Sequence, residues 1–270
     1  MRVIVTGNNG KIGRIVCRLL GNRGHDVVGF DLAAGEDVLD IAALAAKADR
    51  CQAIVHLAAR TDDDAPDLMA TNLLGTWNVL GTARSLGIPR VVFMSSVNAL
   101  GIFSGHRPPD YLPIDDAHPS YAYRPYALSK RLGEQMCEAL TSTADIATIC
   151  LRPPGVLDSA DYERIRTRRQ EQPEYEWSPI WEYGAFLDVR DCASAVERAL
   201  TVDFRGHATM LLCADDISAT RPTLSMVEEL LPDVEWRGSP DYQAEPFRAL
   251  VDTSSARLLL GWRPTRRWRD

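Results

Sequence analysis

The chain lacks the features that mark a membrane protein, a nucleic-acid binder or a disulfide-stapled secreted domain. No apolar run approaches the roughly 20 residues that a membrane-spanning helix needs. Positive charge is in deficit, with 30 Lys and Arg against 37 Asp and Glu and a formal net charge of −7. That balance argues against nucleic acid or an anionic membrane as partner. The six cysteines, at positions 17, 51, 137, 150, 192 and 213, include no CxxC pair. Most fall in apolar segments and read as buried reduced thiols, so the expected compartment is the cytoplasm. Repeats, low-complexity tracts and linkers are missing, and the N-terminus reads as a strand rather than a signal peptide. What is present is 270 residues with 46% hydrophobic content, enough for a sizeable core.

The first sixteen residues, MRVIVTGNNGKIGRIV, are the most informative stretch. A β-branched run (Val3, Ile4, Val5) ends at Thr6, and Gly7, Gly10 and Gly13 follow at three-residue spacing. A helical pattern (Ile12, Ile15, Val16, Leu19, Leu20) starts inside the glycine loop. Strand, tight turn and helix N-terminus together make an anion site, where backbone N–H groups and the helix dipole converge on a pyrophosphate. A second strand over 25–30 ends at Asp31, about twenty residues after the loop, where an acid grips the adenosine ribose hydroxyls. Its charge repels a 2′-phosphate, and Leu32, Ala33 and Ala34 supply no arginine to bind one. NAD is therefore expected over NADP. The plainer reading, that Asp31 merely starts a turn, stands beside it.

Strands and helices then alternate. A short helix is expected over 41–48, a strand over 53–57 and a long helix over about 65–86. A strand over 91–95, a helix over about 124–141 and a strand over 146–151 follow. Residues 101–121, with four prolines and two glycines, predict a loop. The expected fold class is α/β: a Rossmann-type doubly wound parallel sheet with a small mixed C-terminal substrate lobe. Residues 1–155 would form the dinucleotide-binding core. Residues 156–270 would supply the remaining sheet strand or strands and the substrate lobe, within the same compact unit.

Tyr126 and Lys130 share a helix face at i and i+4. A phenol of ordinary pKa near 10 is a poor base at neutral pH. A neighbouring ammonium, helped by a cationic nicotinamide, is expected to draw it into working range. Tyr121 and Tyr123 have no lysine four residues on, so Tyr126 is the expected acid/base. Other polar residues have plainer readings. His56 reads as a packed, hydrogen-bonded core residue, Asp62–Asp64 as a cap for the next helix, and Glu134 as an ordinary surface partner on the Lys130 helix. No metal site is expected.

Taken in order, TGNNGKIG, Asp31, His56-Leu57-Ala58-Ala59, Asn72 with Gly75-Thr76-Trp77-Asn78, Ser95-Ser96 and Tyr126/Lys130 resemble the short-chain dehydrogenase/reductase superfamily. The likeness is to its extended, NAD-dependent epimerase/dehydratase branch. Leu151-Arg152-Pro153, Phe186-Leu187-Asp188-Val189-Arg190-Asp191 and Leu260-Gly261-Trp262-Arg263-Pro264 agree with it. The resemblance implies that Gly7, Gly10, Lys11, Ile12 and Gly13 line the pyrophosphate and that Asp31 holds the ribose. It further implies that Asp40 and Ile41 border the adenine, while Leu57, Ala58, Ala59 and Pro153 run beside the cofactor. Tyr126 would be the acid/base, Lys130 would bind the nicotinamide ribose, and Ser96 rather than Ser95 would polarise the substrate oxygen. A homodimer is implied too, through a four-helix bundle of the helices near 65–86 and 124–141.

Departures from the branch narrow the activity. Dehydratases carry an Asp-Glu pair after the catalytic Ser/Thr, where this chain has Val97 and Asn98. The Asn-rich stretch that epimerases place after the Arg-Pro is replaced by Pro154-Gly155-Val156. Short length and the run Ser95–Gly101 look more like compact uronate dehydrogenases. That likeness implies substrate contacts from Asn98 and from an arginine, with Arg164 and Arg168 as the expected residues out of Arg164, Arg166, Arg168 and Arg169. A solvated Arg-rich helix face is the alternative. Tyr175, Trp177, Trp181 and Tyr183 could stack on a sugar or cover the core. The expected function is an NAD-dependent oxidoreductase acting on a hydroxyl or carbonyl of a small polar, sugar-derived or similar substrate by a Ser-Tyr-Lys mechanism. The alternatives are a nucleotide-sugar epimerase that oxidises a ring carbon transiently, and an NAD-binding sensor without turnover. The intact Ser96/Tyr126/Lys130 set argues against the last.

Overall fold

A computed structural model describes residues 1–103, 106–172 and 179–270. Ten strands and nine α-helices are found among them. In chain order they are β1 (Arg2–Thr6), α1 (Lys11–Asn22), β2 (Asp26–Phe30), α2 (Ile41–Ala48), β3 (Ala53–His56), α3 (Gly75–Leu86), β4 (Arg90–Met94) and β5 (Tyr111–Leu112). Next come α4 (Pro125–Thr143), β6 (Ala147–Arg152), β7 (Val156–Leu157), α5 (Ser159–Glu171), β8 (Leu187–Asp188) and α6 (Val189–Thr201). The chain continues through β9 (His207–Leu211), α7 (Thr223–Leu230), β10 (Glu235–Trp236), α8 (Asp241–Ala244) and α9 (Ser254–Leu260).

Six strands form one parallel sheet in the order β2-β1-β3-β4-β6-β9. Parallel strands need crossovers, and the helices lie on both faces because the strands are apolar on both. Val3 and Val5 of β1 pack with Val16 and Leu20 of α1 and Val196 of α6. Ile4, between them, points the other way into a core with Leu44 of α2, Val79 of α3 and Cys137 of α4. The expected doubly wound architecture is the one observed. The predicted long helix over 65–86 begins later, because a π-helical turn over Ala70–Leu74 leads into α3. The edge strand β9 closes the sheet beyond β6.

A separate cluster of buried side chains lies to the C-terminal side of this sheet. Val97, Leu100, Ile102 and Phe103 from the segment after β4 pack there with Tyr183, Ile217, Met226 of α7 and Tyr242 of α8. The two-stranded pairs β7–β8 and β10–β5 belong to this mixed region. The chain runs from β1 to β2 on one side of the sheet and resumes with β3 on the other, so the carboxyl ends of β1 and β3 part there and open a crevice. Ligands of open α/β sheets bind at such a switch point.

Candidate functional site

Gly7, directly after β1, has φ of +71°. A Cβ there would meet Ala58 N at 2.7 Å, so β1 and the segment after β3 approach as closely as only glycine permits. A Cβ on Gly13 would strike the Gly7 carbonyl oxygen, which fixes how near α1 comes to the loop. Helix α1 begins at Gly10 with no side-chain cap, so its first-turn N–H groups face the crevice without a built-in acceptor.

Two cavities meet at this loop. The smaller, about 340 Å³, is lined by Gly7, Gly10, Asp31, Val38, Leu39, Leu57, Ala58 and Ala59. Asp31 holds two backbone N–H groups, of Ala33 and Asn9, each at 2.8 Å. It therefore caps a turn and braces the glycine loop at once. Its two oxygens keep lone pairs for further donors. The arginine on this wall, Arg60, is paired with Asp67 at 2.8 Å. Asp40 and Ile41 are displaced from their expected place: Asp40 caps α2 through Ala43 N, and Val38 and Leu39 line the cavity in their stead.

The larger cavity, about 760 Å³, is lined by Gly7, Gly10, Lys11, Ile12, Gly13, Leu57, Ala59 and Pro153, and also by Ser96, Asn98, Tyr126, Lys130 and Glu182. The expected Ser-Tyr-Lys set thus opens into the same space as the glycine loop. Both serines line the cavity but differ in partner: Ser95 Oγ donates to Glu134 at 2.6 Å, while Ser96 Oγ accepts from Asn98 N at 3.1 Å. Lys130 is buried, donates from Nζ to Met94 O at 2.8 Å, and lies 5.7 Å from the centroid of the Tyr126 ring. Burial lowers the lysine to about 8, against the pull of Glu134 and Cys150.

The tyrosine departs from expectation. Burial pushes the Tyr126 phenol up to about 12, the Ser96 hydroxyl pulls against this, and the Glu182 and Asp63 carboxylates add to it. Lys130 does not bring it down here: its ammonium lies 5.7 Å from the ring centroid and gives one of its three N–H groups to the Met94 carbonyl. Tyr126 is thus held as a protonated acid.

Sequence reasoning missed two acids. Asp63 does cap a helix, but the one sixty residues on rather than the next. Its carboxylate accepts Tyr126 N and Arg124 Nε, each at 2.7 Å, and so closes the start of α4. Glu182 lines the larger cavity, accepts Asn98 Nδ2 at 3.4 Å and Gly155 N, and is pushed up by burial to about 7. No spacing to Tyr126 could have revealed either. Glu134 is also misplaced by a surface reading, since it is buried and holds Arg152 at 2.7 and 2.8 Å.

The arginines do not reach the cavity wall. Arg164 pairs with Asp161 at 2.8 Å and lines a side pocket of about 300 Å³ with Lys11 and Ile165. Arg168 lies exposed on the outer side of α5, beside Arg164 and Glu171. Lys11 reaches across to Asp161 and to Val156 O at 3.4 Å. Of the aromatic residues, Tyr183 is buried against Phe103 and donates to Ile102 O at 3.1 Å. Tyr175 and Trp177 fall outside the described residues, as does the Trp181 side chain. His56 is packed as expected, between Thr6 Oγ1 at 2.7 Å and Thr76 Oγ1 at 3.0 Å. Asn72 joins Arg60 N and O to Ser129 Oγ and is a packing residue.

With this geometry in hand, likeness to known proteins can be read. Residues 3–211 match the NAD dependent epimerase/dehydratase family. A UDP-glucose 4-epimerase from Rhizobium leguminosarum bv. trifolii is 27% identical over 97% of this chain and 92% of its own length. A uronate dehydrogenase from Pseudomonas syringae pv. tomato is 22% identical over 93% of this chain and 86% of its own. A 2-alkyl-3-oxoalkanoate reductase from Stenotrophomonas maltophilia is 27% identical, but the match spans 61% of this chain and 54% of that enzyme. In fold, the chain is similar to a short-chain dehydrogenase/reductase superfamily protein from Agrobacterium tumefaciens with bound NAD. The TM-score is 0.74 at 22% identity, covering 100% of this chain and 94% of that one.

Proposed function

The chain belongs to the NAD dependent epimerase/dehydratase family, and from that premise we propose that it moves a hydride between NAD and the hydroxyl or carbonyl carbon of a small polar, sugar-like substrate. One observation carries this reading: Ser96, Tyr126 and Lys130 line a single cavity that is continuous with the glycine loop. The loop fits a dinucleotide, since Gly7 and Gly13 let the turn after β1 pack backbone to backbone against the segment after β3 and against α1, and the first turn of α1 is uncapped. Gly7, Gly10, Lys11, Ile12 and Gly13 would hold the pyrophosphate and Asp31 the adenosine ribose. Leu57, Ala58, Ala59 and Pro153 would border the cofactor, and Lys130 the nicotinamide ribose. The acids Asp31, Glu36 and Asp37 on the smaller cavity favour NAD over NADP.

Bound NAD supplies the hydride acceptor and a cationic ring. Tyr126 Oη exchanges a proton with the substrate oxygen, and Ser96 Oγ donates to that oxygen as negative charge grows on it. The Tyr126 phenol, held at about 12, favours the donating role; Lys130, at about 8 and still mostly charged at neutral pH, supports the phenolate in the other direction. Residues 1–155 are proposed as the cofactor-binding unit and 156–270 as the substrate-side unit.

The near full-length likeness to a UDP-glucose 4-epimerase supports a second reading, transient oxidation of a nucleotide sugar with NAD held throughout. One assay separates the two: NADH formation on sugars, sugar acids, nucleotide sugars and simple alcohols, with wild type and Tyr126→Phe. Net NADH that is lost in the variant supports the oxidoreductase. NAD that copurifies and gives no net NADH, with a nucleotide sugar interconverted, supports the epimerase. Activity unchanged in Tyr126→Phe overturns the catalytic assignment.

A homodimer through α3 and α4 belongs to the same proposal. Trp77 and Leu74 are 63% and 51% exposed there, whereas Ala83 and Ala127 are already buried within the chain. A monomer in sedimentation at micromolar concentration removes it. All six cysteines are free thiols, which fits the reducing cytoplasm. Among the described residues no helix is long and apolar enough to cross a membrane.

A further inference from the structure

Two acids, Asp63 and Glu182, line the larger cavity, and Glu182 is built in. Glu182 stands in a loop whose backbone is left-handed at three successive residues, with φ of 54° at Glu182, 56° at Tyr183 and 75° at Gly184. Two of the three are not glycine, a conformation that persists only where its surroundings enforce it and that gathers at functional sites. The surroundings are explicit. Tyr183 Oη is tied to Ile102 O, Ala185 N donates to Glu182 O at 3.0 Å, and Leu187 N donates to Gly155 O at 3.0 Å. The carboxylate itself is held by Gly155 N and by Asn98 Nδ2, and Asn98 lies two residues after Ser96.

No cation on the described wall of this cavity is placed to offset it. Lys11 pairs with Asp161, Arg124 pairs with Asp63 at 2.7 Å, and Lys130 is buried on Met94 O. Of the α5 arginines, Arg168 lies on the outer side, while Arg164 and Arg169 line the adjoining side pocket that Glu182 also borders. There Arg164 pairs with Asp161 at 2.8 Å and Arg169 donates to Ser218 Oγ at 2.7 Å.

We propose that Glu182, braced by Asn98, selects an uncharged polyhydroxy substrate and rejects sugar acids. A second hydroxyl of the substrate donates to the Glu182 carboxylate while the reacting carbinol lies at Ser96 and Tyr126. The inference rests on the oxidoreductase reading above and names its substrate class. Each carboxylate oxygen has two acceptor positions, so Glu182 can serve a substrate hydroxyl without releasing Gly155 or Asn98. The test is run at about pH 8.5, above the value of about 7 to which burial raises Glu182. At that pH a substrate carboxylate brought to the same wall meets a like charge in a confined space, which is how sites reject a wrong partner.

The test uses the full chain with NAD and compares glucose and galactose with glucuronate and galacturonate, and with the matching amino sugars. It is run on wild type, Glu182→Gln and Glu182→Asp, with NAD affinity measured separately by fluorescence. Wild type is expected to favour each neutral sugar over its acid by about tenfold or more in kcat/KM. In Glu182→Gln that ratio shrinks to within about threefold through a gain on the acid, with NAD affinity unchanged, and Glu182→Asp restores the ratio. A uronate used as well as its neutral sugar, an amino sugar preferred over both, or a ratio untouched by Glu182→Gln each overturns the inference and leaves the oxidoreductase reading standing. NAD bound without NADH from any substrate of these series overturns both. Where the glutamine variant does not fold, the wild-type ratio decides alone.

Discussion

Asp63 accepts the backbone N–H of Tyr126 at 2.7 Å across 63 positions of sequence. Helix α4 starts at Pro125 with no cap from its own N-cap residue, Arg124, so this carboxylate from the segment after β3 satisfies the first turn. The helix that carries Tyr126 and Lys130 is thereby pinned to the segment after β3. Asp63→Ala is expected to lower stability by about 1 kcal/mol, in line with other lost caps. Its kcat should fall by about three- to tenfold with NAD affinity intact, because Tyr126 loses its placement rather than its chemistry. Asp63→Asn, which can still accept the N–H, should recover most of both. Urea unfolding and steady-state kinetics on the three proteins check this.

The Glu134–Arg152 pair crosses from α4 to β6, with both partners less than 5% exposed and Ser95 as third member. Removing one partner strands a buried charge. Glu134→Ala is therefore expected to cost about 3–5 kcal/mol, and the double variant Glu134→Leu/Arg152→Met to recover most of that loss. Equilibrium unfolding of the single and double variants decides. A double variant no better than the single would show that the pair is not the source.

Asp31 holds the turn and the glycine loop with the same oxygens that are proposed to serve the cofactor. Asp31→Asn keeps a cap acceptor for Ala33 while removing the charge. NAD affinity is expected to fall by about tenfold, the scale of one hydrogen bond to a charged group, and the preference for NAD over NADP to narrow. Calorimetric titration with both cofactors checks it. Unchanged affinity would leave Asp31 as a turn residue only.

Two buried groups respond to pH in opposite senses. Burial takes His56 down to about 3 from 6.5, so its contribution is present above 6.5 and lost as pH falls towards 3. Burial takes Glu182 up to about 7 from 4.5, so its contribution is present below 4.5 and lost as pH rises through 7. Relative to wild type, Glu182→Gln should therefore gain about 2 kcal/mol between pH 4.5 and 8, the full shift being discounted for partial exposure. Urea unfolding of both proteins across that range measures the difference. NMR of the His56 ring should find it neutral in the folded protein at pH 5.

What the sequence revealed depended on how local each signal was. The glycine loop, Asp31 and Tyr126/Lys130 are short-range patterns, and the family 3–211 match agrees with the resemblance they carried. The five apolar strands were legible for the same reason. The sixth, His207–Leu211, was not placed, because at the sheet edge its first three residues are only partly buried and read as polar. Glu134 looked like a surface partner of Lys130 because Arg152, which buries it, arrives from another strand. Glu182 was invisible because its place depends on a left-handed loop and on Gly155, neither of which leaves a periodic trace. Local chemistry was readable, and long-range pairing was not.

Lys11 begins the helix that receives the pyrophosphate, yet its ammonium rests on Asp161 and the Val156 carbonyl, on the far bank of the cavity. A phosphate settling in the glycine loop and the substrate-side wall therefore share one cation. If a ligand on that wall depends on the hold of Lys11, linkage requires the two sites to change each other's affinity by the same factor. Asp161 and the Val156 carbonyl thus stand to lose a partner whenever an anion in the glycine loop draws Lys11 away.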